Sequence, residues 1–79
     1  MIYTYLGVNN KPVLAKWDVN ELVGGILYEI KNSSMVDTNV DYLTWFEGEG
    51  RLDVVMVNAL SSEDKQILDS IISNYQEGV

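Results

Sequence analysis

The sequence contains no cysteine and no histidine, a single proline, and only five basic residues against twelve acidic ones. Each shortage removes a class of function. Without thiols there is neither a disulfide scaffold nor a thiolate nucleophile, a composition that suits a reducing compartment. With histidine missing as well, the nitrogen and sulfur ligands of a zinc site are gone. A general base at neutral pH would have to be a carboxylate pushed up in pKa or a lysine pushed down, which requires a dry pocket that a core of this size can hardly spare. The net charge of −7 repels nucleic acid backbones and anionic membrane surfaces, so direct contact with either is not expected. The opening residues MIYTYLGV carry no basic leader and no long apolar run. Neither a secretory signal nor a membrane span is read there, and a cytoplasmic protein is expected.

What is present argues for a folded chain. The hydrophobic fraction of 47% is too high for disorder, which needs high charge together with few apolar residues. Residues 1–79 suffice for one small domain, with a folded surface of about 4,800 Å² on the usual scaling with mass.

The strongest periodic signal is DVNELVGGILYEIK, residues 18–31. Val19, Leu22, Val23, Ile26, Leu27 and Ile30 recur at the three-and-four spacing of a helix face. Asp18 is a good N-cap and Glu21, three residues later, completes a capping box. One helix over 18–31 is therefore predicted, ending where Asn32, Ser33 and Ser34 prefer local side-chain hydrogen bonds. Its far side carries Glu21, Gly24, Gly25 and Tyr28. Two glycines inside a helix cost roughly 1 kcal/mol each, and they leave bare backbone where another chain could approach closely.

Alternation of side chains predicts a strand over 2–8, with Ile2, Thr4, Leu6 and Val8 on one side and Tyr3 and Tyr5 on the other. A turn at Asn9-Asn10-Lys11-Pro12 and a short strand over 13–17 would close a first hairpin. After a polar loop over 32–39, strands over 40–47 and 51–58 form a second hairpin around a two-residue turn at Gly48-Glu49. Its register sets Leu43, Trp45, Leu52, Val54 and Met56 toward the helices, and Tyr42, Thr44, Phe46, Arg51, Asp53, Val55 and Val57 away from them. Leu60-Ser61-Ser62-Glu63-Asp64 reads as a helix start, continued by Ile67, Leu68, Ile71, Ile72 and Tyr75 and ended by Gly78. The order is ββαββα: an α+β fold with a four-stranded, mostly antiparallel sheet and two helices packed on one face.

No motif names a reaction or a ligand. Asp37, Asp41, Glu47 and Glu49 lack the alternating pattern of a calcium loop, and neither Gly24-Gly25 nor Gly48-Glu49-Gly50 precedes a helix as a phosphate loop does. No metal, cofactor or catalytic residue is assigned, and a non-enzymatic protein is expected. The predicted outer sheet face is more informative. Tyr3, Tyr5, Tyr42 and Phe46 would stand there with Asp53, and with Glu47 and Glu49 at the turn. That is aromatic surface amid acids, which suits a protein partner with a basic surface better than RNA. A DNA mimic of this diameter, ~30 Å of duplex, would need on the order of eighteen charges, so the acids allow a partial mimic only.

In size and charge the chain resembles the inhibitors that phages and mobile elements encode against host enzymes or defence systems, and bacterial immunity proteins. The resemblance implies a binding module that occludes a basic surface, for example a nucleic-acid-binding one. The alternative is a structural or assembly subunit that forms homo-oligomers through its exposed sheet face or edge strands.

Overall fold

The computed structural model describes residues 1–8 and 11–77 and is built from five strands and two helices: β1 (Ile2–Tyr5), β2 (Lys16–Asp18), β3 (Glu21–Gly24), α1 (Gly25–Lys31), β4 (Val40–Phe46), β5 (Arg51–Met56) and α2 (Ser62–Glu77). The α+β class stands, but the strands form two sheets rather than one. A three-stranded antiparallel sheet has the order β1-β5-β4, and β2 pairs with β3 alone. The turn expected at Asn9-Asn10 and the helix end at Gly78 lie outside the described residues.

The second hairpin keeps its predicted faces. Leu43 is opposite Val54 and Trp45 opposite Leu52, while Thr44 meets Asp53 and Phe46 meets Arg51. Its connection is longer than expected, a four-residue loop over 47–50 in which the Glu49 N–H donates to the Phe46 carbonyl at 3.2 Å. At Gly50, φ is +60° and a Cβ would lie 3.2 Å from the Val8 carbonyl oxygen. That close approach lets the Val8 N–H donate to the Gly50 carbonyl at 3.0 Å and brings buried Val8 onto the hairpin.

The predicted helix over 18–31 is corrected most. Its first half is a hairpin, β2–β3, and only Gly25–Lys31 is helical. Asp18 and Glu21 form no capping box; they pair across the hairpin. The glycines are the reason. Gly24 is extended, and Gly25 has φ +91°, a left-handed conformation that side chains disfavour. A Cβ on Gly25 would meet the Ala15 backbone at 2.8 Å. Through that close approach the Ile26 and Leu27 N–H groups donate to the Val13 and Leu14 carbonyls, both at 2.9 Å. Backbone from upstream thus satisfies the donors that a helix start leaves open, without a side-chain cap. The strand expected over 13–17 is accordingly displaced to Lys16–Asp18, and no hairpin joins it to β1.

The helix end behaves as its sequence suggests. The Asn32 side-chain amide donates to the Tyr28 carbonyl at 2.9 Å, and the Ser33 hydroxyl to the Ile30 carbonyl at 2.6 Å. At the start of α2 the Asp64 N–H donates to the Ser61 hydroxyl at 3.1 Å. Asp64 itself is buried, and its two carboxylate oxygens accept the Val36 and Asp37 N–H groups at 2.9 and 3.0 Å. This pins the loop over 32–39 to α2, with Met35 inserted as its apolar anchor. Ile26 and Ile30 from α1, Leu68 and Ile72 from α2, and Leu52, Val54 and Met56 from β5 join Val8 and Met35 in one core. The accessible surface is 5037 Å², close to the scaling expectation.

Candidate interaction surface

The three-stranded sheet has one face under the helices and one without helical cover, and the pairing of β1 decides which side chains each receives. Tyr3 is opposite Val54 and Tyr5 opposite Leu52, so both tyrosines lie on the helix side. This reverses the orientation predicted for strand 1. The physical reason is that a period of two permits either facing, and tyrosine can cover a core with its ring while its hydroxyl reaches a polar partner. Both hydroxyls do so. The Tyr3 oxygen accepts the Leu60 N–H at 2.7 Å, and the Tyr5 hydroxyl donates to Asp69 Oδ1 at 2.7 Å. Lys65 bonds to Asp69 and lies over both rings, 5.7 and 5.4 Å from their centres. The two tyrosines clasp β1 to α2 and to the turn just before it.

The clasp shifts the ionisation of both Tyr5 and Asp69. Burial, reinforced by the bond to Asp69 and its charge, pushes the Tyr5 phenol well above the usual tyrosine range. At Asp69 burial acts upward, but the hydrogen bonds from Lys65 and Tyr5 outweigh it and hold the carboxyl below its ordinary value.

The uncovered face therefore carries Ile2 and Thr4 from β1, Arg51, Asp53 and Val55 from β5, and Tyr42, Thr44 and Phe46 from β4. It divides into a polar end and an apolar end. At the polar end Asp53, only 9% exposed, accepts the Thr4 hydroxyl at 2.9 Å. Its Oδ1 also lies 3.4 Å from Arg51 Nε, an ion pair rather than a hydrogen bond. The Arg51 guanidinium stacks 3.7 Å from the centre of the Phe46 ring, and Glu49 approaches it at 3.8 Å. Asp53 and Phe46 are thus already engaged within the chain.

At the apolar end Ile2, Val55 and Tyr42 form a row across the three strands. Val55 is buried beneath its neighbours, whereas Ile2, Tyr42 and the adjacent Val57 are more than half exposed. Strand alternation predicts Val57 on this face, though not as a contact, and sets Ile2 on the opposite one. The signal that could have found Ile2 is the pairing of β1 with β5, which no local pattern encodes.

The remaining predicted contact residues are dispersed. Glu47 and Glu49 are exposed on the hairpin loop. Glu21 belongs to β3, Gly24 and Gly25 form the strand-to-helix junction, and Tyr28 is half-buried on α1. The common helix face expected for Glu21, Gly24, Gly25 and Tyr28 does not exist. A feature missed entirely is the β2–β3 hairpin, where residues 16–21 are all exposed and Trp17 shows 58% of its surface.

The acids divide by role. Asp37, Asp53, Asp64 and Asp69 take part in internal hydrogen bonds, while Asp18, Glu21, Asp41, Glu47 and Glu63 are exposed. Among the described residues, no group of three or more acids comes together in a way that could hold a metal ion, and no helix is long and apolar enough to cross a membrane. Comparison of the chain with protein-family models, with curated proteins and with solved structures finds no match.

Proposed function

We propose that this protein is a non-enzymatic binding module whose uncovered sheet face seats on a protein partner with a basic surface. The row Ile2–Val55–Tyr42 with Val57 carries the reading: it is an apolar strip on the three-stranded sheet, without helical cover, in a chain of net charge −7. Exposed Asp41 in β4 and Glu47 and Glu49 on its loop lie along the same sheet. In this mechanism the negative field steers the encounter, and Ile2, Tyr42 and Val57 supply the short-range contact once water is displaced. Occlusion of a nucleic-acid-binding surface, the mode of an inhibitor, is the specific form we favour, because such surfaces supply the complementary charge. The four acids held in internal bonds are less free to imitate a phosphate row, which favours occlusion over extended DNA mimicry.

The test compares capture from a cell extract by immobilised wild type and by an Ile2→Ser/Val57→Ser double variant whose fold is checked by circular dichroism. Support is a partner held by wild type, weakened by salt and lost by the folded variant. A partner held equally by both, or none, removes the sheet face from the mechanism.

A further inference from the structure

The β2–β3 hairpin is an arm separate from the three-stranded sheet. It packs against itself and the start of α1, and it presents Trp17, Val19 and Val23 to solvent at 58%, 90% and 39% exposure. Its tip is held in an unusual shape. Val19 has φ +57°, a conformation that β-branched residues rarely adopt and that persists where something compensates for it. Exposed indole, exposed valines and a strained turn thus meet on one element.

A receptor of matching chemistry exists on the same molecule. Between α1 and the free edge of β4 runs a groove of about 250 Å³ walled by half-buried Leu14, Leu27, Val40 and Leu43 and by exposed Tyr42, with Lys31 and Asp41 at its rim. An apolar cavity of roughly 150 Å³ accommodates benzene, so this groove has room for an indole. The charges also correspond: the arm carries Asp18 and Glu21, complementary to Lys31, and Lys16, complementary to Asp41.

We propose that the arm of one copy inserts Trp17 into the α1–β4 groove of a second copy, and that the exchange is reciprocal, giving a two-fold dimer. Leu14, in the groove wall, lies two residues before the arm begins, so arm and groove are neighbours on each chain and a two-fold axis can satisfy both contacts at once. The exposed apolar side chains of one arm offer on the order of 300 Å². Two such contacts, counting both surfaces, bury about 1,200 Å², the lower end of what a specific dimer needs. The dimer is accordingly of modest affinity. It does not depend on the sheet-face reading, and variants separate the two: Trp17→Ser weakens the dimer and leaves the sheet face intact, whereas Ile2→Ser/Val57→Ser alters the sheet face and leaves arm and groove intact.

Light scattering over a concentration series reaching about 1 mM tests this. Wild type should pass from one chain to two, with the tryptophan emission moving to shorter wavelength as Trp17 leaves water. Trp17→Ser, at an exposed position that folding does not require, should shift the midpoint by at least about tenfold. Lys31→Glu alone and Asp18→Lys/Glu21→Lys alone should each stay largely monomeric, because each sets like charges together, while an equal mixture of the two should associate. A wild type that remains single, a Trp17→Ser chain that dimerises as wild type does, or a mixture no more associated than its parts overturns the proposal.

Discussion

Residues 40–56 and residues 16–31 are both rich in apolar side chains, yet they end in opposite situations. In the first stretch β5 lies between β1 and β4, with the helices above it, so Leu52, Val54 and Met56 are fully enclosed. In the second, only Ile26 and Ile30 reach the core, while Trp17 and Val19 stand in solvent. Apolar residues fold inward when partners on both sides close over them. The same chemistry on a two-stranded arm remains available for another molecule. The three-stranded sheet therefore buries its apolar side chains, whereas the two-stranded one leaves them in solvent.

A leucine in each region provides the sharpest contrast. Leu52→Ala, at a position with no exposed surface, should cost about 3–4 kcal/mol, whereas Leu22→Ala on the arm should cost less than about 1 kcal/mol, both read by urea unfolding. Equal costs would mean that the arm is part of the core. The adjacent glycines come next. Gly25→Ala should destabilise by roughly 2–3 kcal/mol, since its left-handed φ and the 2.8 Å approach to Ala15 leave no place for a methyl group. Gly24→Ala meets only the Lys16 side chain, at 3.5 Å, and should change stability by less than about 1 kcal/mol. A stabilised Gly25→Ala chain would restore the continuous helix.

The tyrosine clasp gives a smaller effect with a pH signature. Tyr5→Phe should lose about 1 kcal/mol at neutral pH. The folded-state pKa of Tyr5 is raised, so its contribution is complete below the unfolded tyrosine pKa of about 10 and is lost as pH climbs above it. The folded-state pKa of Asp69 is lowered, so its contribution is present above the unfolded carboxylate pKa of about 4 and fades as pH falls through the lower folded value. Thermal melts across both windows should show the alkaline decline reduced in Tyr5→Phe. Least of all, Val19→Gly should stabilise the monomer by about 0.5–1 kcal/mol by relieving the turn. A loss instead would show that the valine side chain makes contacts within the chain.

The candidate surface was legible where side chains meet neighbours along the same hairpin. Tyr42 and Phe46 were placed on the outer face because β4 and β5 are joined by a short loop, which ties their alternation together. Tyr3 and Tyr5 were placed on the wrong face, and Ile2 with them, because β1 pairs with a strand some fifty residues away and nothing local sets that register. Trp17 reads as the end of a strand over 13–17, while helical spacing absorbs its true partner Leu22 into 18–31, so no local pattern reveals the hairpin that leaves the indole exposed.

By itself the sequence determined the acidic balance, the absence of thiol and imidazole chemistry, the second hairpin with its faces, a serine-capped start of α2 within residues 60–64 and the end of α1 at Asn32 and Ser33. These depend on contacts within a few residues or across one short loop, where propensity and pattern act directly. Tertiary structure decided the division into two sheets, the facing of β1 and the conversion of half a predicted helix into an arm. Each of these turns on a distant partner: the Leu14–Ala15 backbone against Gly25, Val54 against Tyr3, Asp69 against Tyr5. Such a contact adds its free energy only after the chain has closed a loop to reach it, so no local pattern can record it.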